Sequence, residues 1–594
     1  MNPSAGSDDP LDHDQRRLRG RYYTPHTLAR TMIQQAVSRQ SKRRIADLKI
    51  LDPACGDGAF IVAAFEYLMH KASAPSANSS SNAMAVIQRS LFGVDLDSHA
   101  LVQLRSRLAE RADVSVADRP ALDQILQTNF RCGNALTGPD LNCPASATNS
   151  AAGAISWNQD FPQIATAGGF DLVVGNPPYH RELHAKSLFD QVAQTELGSR
   201  WRQARMDYWF YFLHRGLDLL KPGGRLTFVV NSYWVGSRGA RKMIHRLQNE
   251  TTIESMTLLG KTRIFPDVSG QHMVLQLQRK QGRRKCRILD LTSATGSGKT
   301  RQVAQSSLFL HGRLLTSGVF PQLSGLPQTT QLAQHFDVRQ GMAENPPVVS
   351  RRHLSRLSEP ARAGDGVFVL RPQEISDLDL EATEAACLQP YYYPRHIGRY
   401  HLPPHDGTCV LYLDGKNPPD LSQCQRIQRH LSRFRPIMEA RRETRLGRTP
   451  WWQLHWPRRA DLFVRPRVLC RQMGRRPSFV YADRPTFVGF SVHIVIPQSQ
   501  QTELSLPALT GLLNSRLAQE WFEILAKQRG VHLEISGELL RQFPLPPSDA
   551  EHDAALTALV HERQQLSLDS ADLSTRIERL EQQIEDQVRN WYGL

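Results

Sequence analysis

The string Asn176-Pro177-Pro178-Tyr179 combines residue types that suit one kind of chemistry, the handling of a planar amine. It follows Phe170-Asp171-Leu172-Val173-Val174-Gly175, a mostly apolar run that reads as a short buried parallel strand. The glycine lets the backbone turn, and the two prolines stiffen the loop and remove two N–H donors, leaving carbonyl acceptors facing outward. Asn176 Oδ1 and the Pro177 carbonyl can each accept one N–H from an exocyclic NH2, while Tyr179 stacks on the ring that carries it. A proline-rich turn with a core tyrosine is the plain alternative; the position at a strand end favours the chemical reading.

A second string, Asp52-Pro53-Ala54-Cys55-Gly56-Asp57-Gly58-Ala59-Phe60, lies between a strand (Ile45 to Leu51) and a helix (Ile61 to Lys71). Gly56 and Gly58 permit close approach of backbone to ligand, and Asp52 at the strand end is placed to bind a polar or cationic group. Ile61 occupies the third glycine position of a dinucleotide fingerprint, so the motif is not that one. A third position is Asp95, closing the strand Ser90 to Asp95, where α/β nucleotide folds hydrogen-bond ribose hydroxyls. Asp97, two residues on, reads instead as a helix N-cap.

These residues need a scaffold of strands that end together. Thr24-Pro25 starts a helical pattern (Leu28, Met32, Ile33, Ala36, Val37) as N-cap and first-turn pair. The Ser/Asn/Ala-rich stretch Ala72 to Ala85 reads as a flexible connection, and Thr137 to Gly169 as an insertion loop. Phe130 to Leu136 is a third strand-to-loop transition, carrying Asn134. Asp207 to Leu220 predicts an amphipathic helix stopped by Lys221-Pro222-Gly223-Gly224. Strands are expected over Arg225 to Val230, Ile253 to Leu259 and His272 to Gln278, with a helix over Arg241 to Gln248. This alternation predicts an α/β, Rossmann-like fold: a mainly parallel, doubly wound sheet closed by a late strand pair.

The 594 residues suffice for several domains, and a formal net charge of +16 suggests a polyanionic partner. The polar N-terminus has no apolar signal core, and no run is long enough to span a bilayer. Cys55, Cys132, Cys143, Cys286, Cys387, Cys409, Cys424 and Cys470 form no CxxC pair, so neither a zinc site nor a disulfide framework is expected. A reduced cytoplasmic protein is the simplest reading.

The second half is irregular and aromatic-rich. Ser293 to Thr300 looks like a phosphate-binding loop, but Ser293 stands at its first glycine and no helical pattern begins at Thr300, so a surface loop is expected. Between Arg426 and Arg476 lie fifteen arginines, no lysine and three acids, interleaved with Phe434, Trp451, Trp452, Trp456 and Phe463. Arginine pairs bidentately with phosphate or with guanine, and a solvated charged face would mix lysine with acids. DNA contact is therefore expected, with Arg441, Arg442, Arg445, Arg448, Arg458, Arg459, Arg465, Arg467 and Arg471 as candidates. Near the end, Leu573, Ile577, Leu580, Ile584, Val588 and Trp591 recur at steps of four and three, an amphipathic helix expected to dock on its own domain in a monomer.

Taken in order, Tyr23-Thr24-Pro25, Asp52 to Phe60, Gly93-Val94-Asp95 and Gly175 to Tyr179 resemble the gamma-class, TaqI-like N6-adenine DNA methyltransferases. Val338 to Met342, Arg465 to Leu469, Leu512 to Ser515 and Phe543 to Pro546 look like that group's specificity domain. The resemblance implies a catalytic domain over 1–285, a recognition domain over 300–548 and a C-terminal helical segment over 549–594. It implies S-adenosylmethionine as methyl donor, held by Thr24, Asp52, Ala54, Cys55, Gly56, Gly58, Asp95, Asn134 and Asn176. Asn134 stands where the group often has an aspartate that accepts from the cofactor's adenine amino group. Asn176, Pro177, Pro178 and Tyr179 become the catalytic loop, and Phe265 a second stacking face for a flipped-out target base. Double-stranded DNA is the implied partner, with a separately encoded restriction endonuclease acting on the same site. No metal is called for.

Only about twenty residues precede the Thr24 motif, so no N-terminal nuclease domain is expected. His405-Asp406 with Asp414-Gly415-Lys416 faintly resembles a nuclease pattern and reads as a hairpin. Competing readings keep the fold but change the acceptor to cytosine N4, RNA or a protein glutamine, or make the chain a non-catalytic DNA-binding subunit.

Overall fold

The computed structural model describes residues 24–37, 45, 47–72, 79–141, 153–260, 271–279, 285–292, 298–316, 322–326, 328–414, 423–499, 502–529, 532–566 and 571–594. They form two compact units, 1–319 and 320–594.

The first unit is built on one nine-stranded sheet. Its strands, in chain order, are β1 (Ile50–Asp52), β2 (Leu91–Asp95), β3 (Phe130–Cys132), β4 (Phe170–Gly175), β5 (Leu220–Asn231), β6 (Thr251–Gly260), β7 (His272–Arg279), β8 (Lys285–Asp290) and β9 (Lys299–Ala304). The spatial order is β3-β2-β1-β4-β5-β7-β6-β8-β9. The first five are parallel neighbours, and β7 inserts antiparallel between β5 and β6. This is the mainly parallel, doubly wound sheet that the alternation predicts. β8 and β9 carry it past residue 285, the expected domain end, through Ala304. The same strand replaces the phosphate-binding helix that a true P-loop would need after Lys299.

β1, β2, β4 and the second half of β5 (226–230) read as mostly apolar runs because helices cover both faces of the sheet. One core layer gathers Trp157, Phe161, Trp209, Leu213 and Trp234 over β4 and β5. The other gathers Ile33, Phe60, Phe65, Leu104 and Leu108 over β1 and β2.

Three expectations need correction. Residues 79–85 begin a helix, Ser79–Ser90, rather than a flexible connection; Ala83, Val86 and Ile87 are buried, an apolar face that the Ser/Asn composition obscures. Part of the expected insertion loop is core: Trp157–Asp160 and Pro162–Thr166 are short helices, and Trp157, Ile164 and the intervening Phe161 are fully buried. The helix Trp209–Leu219 is not amphipathic, since every residue but Asp218 is buried. Its outer side is covered by Trp201, stacked 4.1 Å from His214, and by the loop 136–140 that Arg215 holds.

The second unit contains two four-stranded sheets. Phe336–Gln340, Val492–Pro497, Arg467–Arg471 and Phe479–Ala482 form the first, all antiparallel. Val369–Leu370, Cys409–Leu411, Leu388–Tyr392 and Phe487–Val488 form the second. They share a core that includes Phe368, Val410, Phe463, Leu469, Phe487 and Ile494. The chain ends in two helices, Ala550–Gln565 and Ala571–Tyr592. The last docks on its own unit as expected: Leu580, Ile584, Val588 and Trp591 are buried, Trp591 Nε1 donates to the Pro547 carbonyl (2.9 Å) and Tyr592 Oη to that of Pro544 (2.7 Å). None of the described helices is long and apolar enough to cross a membrane.

Candidate active site

The sheet order reverses between β1 and β4: connections from β1 lead to β2 and β3 on one side, while β4 and β5 lie on the other. Loops leaving the carboxyl ends of two strands that diverge this way leave a crevice between them. Here it is a cleft of about 550 Å3, within the usual range for a small-ligand site. Thr24, Asp52, Ala54, Cys55, Gly56, Asp95, Asn134, Asn176 and Pro178 all line it, so one cavity collects residues spread over more than 150 positions. His180, Leu188, Tyr208 and Phe212 complete an apolar wall that the motifs do not announce.

Asp52, at the end of β1, is 1% exposed, and its Oδ1 accepts the Ala54 N–H at 3.1 Å. Burial pushes its carboxyl up to about 8, against the Ala54 hydrogen bond and with a smaller contribution from the charge of Asp95. Gly175 makes this placement possible, since a Cβ there would lie 2.8 Å from Asp52 Oδ1. Asp95 orders the neighbouring turn: its Oδ2 accepts Gly56 N at 2.7 Å and its Oδ1 accepts Asp97 N at 2.9 Å. Asp97 caps the helix Ser98–Ala112 through His99 N and Ala100 N, as its position predicts. Gly56 has φ +51°, and a Cβ on it would meet nothing within 4 Å; its open side permits a ligand to lie against the backbone. Cys55 is buried beside both carboxylates, and burial first, then their charge, holds its thiol protonated.

Gly58 is a correction. It does not line the cleft; with φ +92° and a Cβ position 2.1 Å from Leu104 Cδ1, it is required by the packing of the helix behind the turn. Asn134 lines the cleft; its Oδ1 accepts Leu136 N at 2.9 Å, closing a turn on itself, and an amide oxygen can accept a second hydrogen bond from a ligand.

At the end of β4, Asn176 is oriented from both sides. Its Nδ2 donates to Thr24 Oγ1 at 3.3 Å, and its Oδ1 accepts the Tyr179 hydroxyl at 2.6 Å. Tyr179 Oη also lies 2.9 Å from the Val229 carbonyl. Burial holds this phenol well above its usual range, so it stays a donor. Tyr179 is absent from the cleft lining, and its ring lies 6.0 Å from that of His272, tilted 48°. In this structure its hydroxyl positions the Asn176 amide. Pro177 is buried and likewise absent from the lining. Phe265 lies outside the described residues.

Motif reading passed over a second polar group beside this loop. Asp207, 3% exposed, accepts from the Tyr233 hydroxyl and from Asn231 Nδ2 (3.4 Å). Burial raises its carboxyl, opposed chiefly by the Tyr233 hydrogen bond. Tyr208 N donates to the His180 carbonyl at 2.8 Å, and Arg181 forms a β-bridge with Asp207, tying the chain after Tyr179 to the head of the next helix. The available signal was a polar residue at the end of each apolar run, Asp207 before Trp209–Leu219 and Asn231 closing β5.

The structure divides the nine candidate arginines of the second unit. Arg441 is buried and donates to the carbonyls of Met438 (3.0 Å), Gln453 (2.9 Å), Pro450 (3.0 Å) and Trp451 (2.8 Å). Arg467 is fully buried and donates to those of Arg484 (2.7 Å) and Thr486 (3.4 Å). A guanidinium has five donors; Arg441 spends all of its own on carbonyls and Arg467 is buried against loop carbonyls, so the structure gives both an internal role in place of the expected exposed one. Arg458 leans on the Gly341 carbonyl at 3.3 Å, Arg459 and Arg465 pair with Asp461, and Arg471 is half-buried. Arg442, Arg445 and Arg448 are exposed. Arg441→Ala is expected to cost about 3 kcal/mol of stability by orphaning buried carbonyls, with the DNA-binding salt dependence unchanged. Arg442→Ala with Arg445→Ala should leave the melting temperature in place and reduce the salt slope by roughly one per lost phosphate contact. Thermal unfolding and a salt titration of DNA affinity separate the two classes.

Comparison with known proteins gives concordant results. Residues 12–108 match the N-6 DNA methylase family, 89–265 the Eco57I restriction–modification methylase family, and 428–545 the TaqI-like C-terminal specificity domain. The Type II methyltransferase M.BstVI of Geobacillus stearothermophilus is 20% identical over 549 residues, covering 89% of this chain and 90% of that protein. M.BanIII of Aneurinibacillus aneurinilyticus, another Type II methyltransferase, is 21% identical over 611 residues, covering 97% and 96%. Among solved structures, the Type IIL restriction–modification enzyme MmeI in complex with DNA superposes with a TM-score of 0.63 at 12% identity, covering 98% of this chain and 77% of that one. At that identity the likeness speaks for the fold alone. The resemblance to TaqI-like N6-adenine methyltransferases drawn from the motifs is borne out.

Proposed function

We infer that a chain with an N-6 DNA methylase region followed by a TaqI-like specificity domain is a DNA methyltransferase, and we propose that it modifies the N6 amino group of adenine at a specific duplex sequence. The observation that carries this reading is one cleft in which two strand-end acids, Asp52 and Asp95, stand beside Asn176 and Pro178.

S-adenosylmethionine fits the residues present. Asp52 is a buried acid suited, together with Thr24, to the cationic methionine end; the Cys55-to-Gly58 turn offers open backbone at Gly56; Asp95 is placed for ribose hydroxyls. When bound, the cofactor supplies an electrophilic methyl group on a sulfonium sulfur. The protein's part is to make a poor nucleophile reactive. An adenine amine is weak because its lone pair is delocalised into the ring. Asn176 Oδ1 can accept two hydrogen bonds; the one from the Tyr179 hydroxyl fixes the amide so that its oxygen can also accept an amine N–H. The Pro177 carbonyl is the natural second acceptor, since Pro178 has no N–H of its own. Two such acceptors pull the amine toward tetrahedral geometry and localise its lone pair, a contribution of positioning and electrostatics. The target atom is inaccessible in a stacked duplex, so the base must be extruded.

Cofactor affinity should depend on pH. With its carboxyl raised to about 8, Asp52 is protonated in the free protein at neutral pH. A bound cation favours the carboxylate, so binding expels a proton below pH 8, and affinity should rise from pH 6 to 8 and level off above it, by up to roughly tenfold per unit. Calorimetry in two buffers of different ionisation enthalpy checks this; Asp52→Asn should flatten the profile.

The function is tested by modification-sensitive sequencing of DNA from a host expressing the protein. N6-methyladenine confined to one sequence motif is expected, and its absence overturns the reading. A separately encoded endonuclease blocked by the same modification is the partner this function implies.

A further inference from the structure

Immediately beyond the Asn176 loop the chain makes a tight turn over Arg181–His184, with His184 N donating to the Arg181 carbonyl at 2.9 Å. Leu183 sits at its tip and is 86% exposed. Single exposed leucines are ordinary on protein surfaces. This one differs in how firmly it is presented. Arg181 is bridged to Asp207, and its guanidinium lies 5.1 Å from the ring centroid of Tyr233, itself 41% exposed. On the other side the Glu182 carboxylate accepts Arg205 N at 2.8 Å and lies 3.7 Å from Arg202. The Arg202-to-Arg205 segment is pinned in turn by Gln203, which donates to the Arg238 carbonyl at 2.6 Å and accepts Lys242 N at 3.1 Å. Arg181 on the turn, and Arg202 and Arg205 on the segment that Glu182 holds, are exposed, a basic edge complementary to a phosphate backbone.

We propose that Leu183 is an apolar wedge that enters the DNA stack where the target base leaves it, with the Arg181–Tyr233 pair against the adjoining backbone. This rests on the methyltransferase reading above. Extruding a base leaves a gap lined by the faces of its neighbours, and a rigidly held leucine fills such a gap, as apolar wedges do where proteins unstack DNA. The turn is only seven residues from Asn176, so the wedge and the acceptors for the extruded amine move as one piece. No covalent step is involved; the contribution is to the extrusion equilibrium.

The test uses the full-length protein and a duplex carrying its methylated motif, with the target adenine either paired or mismatched. A mismatched base costs less to extrude. Leu183→Ala should lower kcat/KM roughly tenfold on paired DNA and stay within about twofold of wild type on the mismatch. Leu183→Met should behave as wild type on both. With 2-aminopurine at the target, Leu183→Ala should show a smaller fluorescence rise on binding. Equal losses on both duplexes, or no loss on the paired one, overturn the proposal. Neither result touches the methyltransferase reading, because Asn176→Ala fails on both duplexes if that reading holds and on neither if it does not.

Discussion

Replacing Asn176 by alanine should abolish methyl transfer, lowering kcat by about 10²–10³-fold or more at saturating cofactor and DNA. The loss is large because the amide acts where charge develops, on the amine as its lone pair becomes available. In the protein that amide is already held by Thr24 and Tyr179 at 3.3 and 2.6 Å, so its placement requires no reorganisation at the moment of reaction. Cofactor affinity should stay within a few-fold of wild type, because the carboxylates at the ends of β1 and β2 are unchanged. Tyr179→Phe should give a smaller kcat loss, since it frees the amide to rotate without removing the acceptor. Single-turnover methylation with an independent cofactor-binding assay separates the two quantities. Wild-type turnover in Asn176→Ala would remove the loop from the reaction.

Asp95→Ala should produce the largest loss of cofactor affinity, roughly 100-fold. Two charge-assisted hydrogen bonds to ribose hydroxyls at about 1.5 kcal/mol each account for that order of magnitude. The change also releases Gly56 N from its 2.7 Å bond, so the turn that lies along the cleft loses a tie. A cofactor analogue lacking both ribose hydroxyls distinguishes these effects. If Asp95 holds the ribose, the analogue binds wild type and Asp95→Ala equally weakly. If Asp95 only shapes the turn, the analogue still loses affinity on mutation. A wild-type dissociation constant for S-adenosylmethionine in Asp95→Ala would place the ribose elsewhere.

Most of the cleft was legible in the sequence because its residues sit at strand ends, where local pattern fixes position. Asp52, Asp95 and Asn176 each close a short apolar run, and parallel strands bring their carboxyl ends to one edge whatever the intervening chain does. Gly56 was legible for the same reason. Gly58 was misassigned since its spacing also suits a ligand turn, while its Cβ position is closed by Leu104, some forty-five residues away. The helices at Ser79–Ser90 and Trp157–Thr166 were hidden by polar and small residues; what makes them core is the partner that covers them, which no local window contains.

The arginines mark the limit most clearly. From types and spacing alone, Arg441 and Arg442 are equivalent neighbours. In the structure one is buried against four loop carbonyls and the other is exposed. Which donors are spent inside the protein depends on chain segments far apart in sequence.

The α/β alternation, the order of strand-end motifs and the residue types able to hold a cofactor and an amine are all present in the primary structure. The strands form through short-range pattern, and the chemistry resides in side chains that composition already names. Packing is what makes Tyr179 hold Asn176, joins Asp207 to the turn bearing Leu183, and sets which basic residues are exposed to a polyanion. Those are matters of burial and of who accepts from whom, set by packing between segments that do not know of one another until the chain folds.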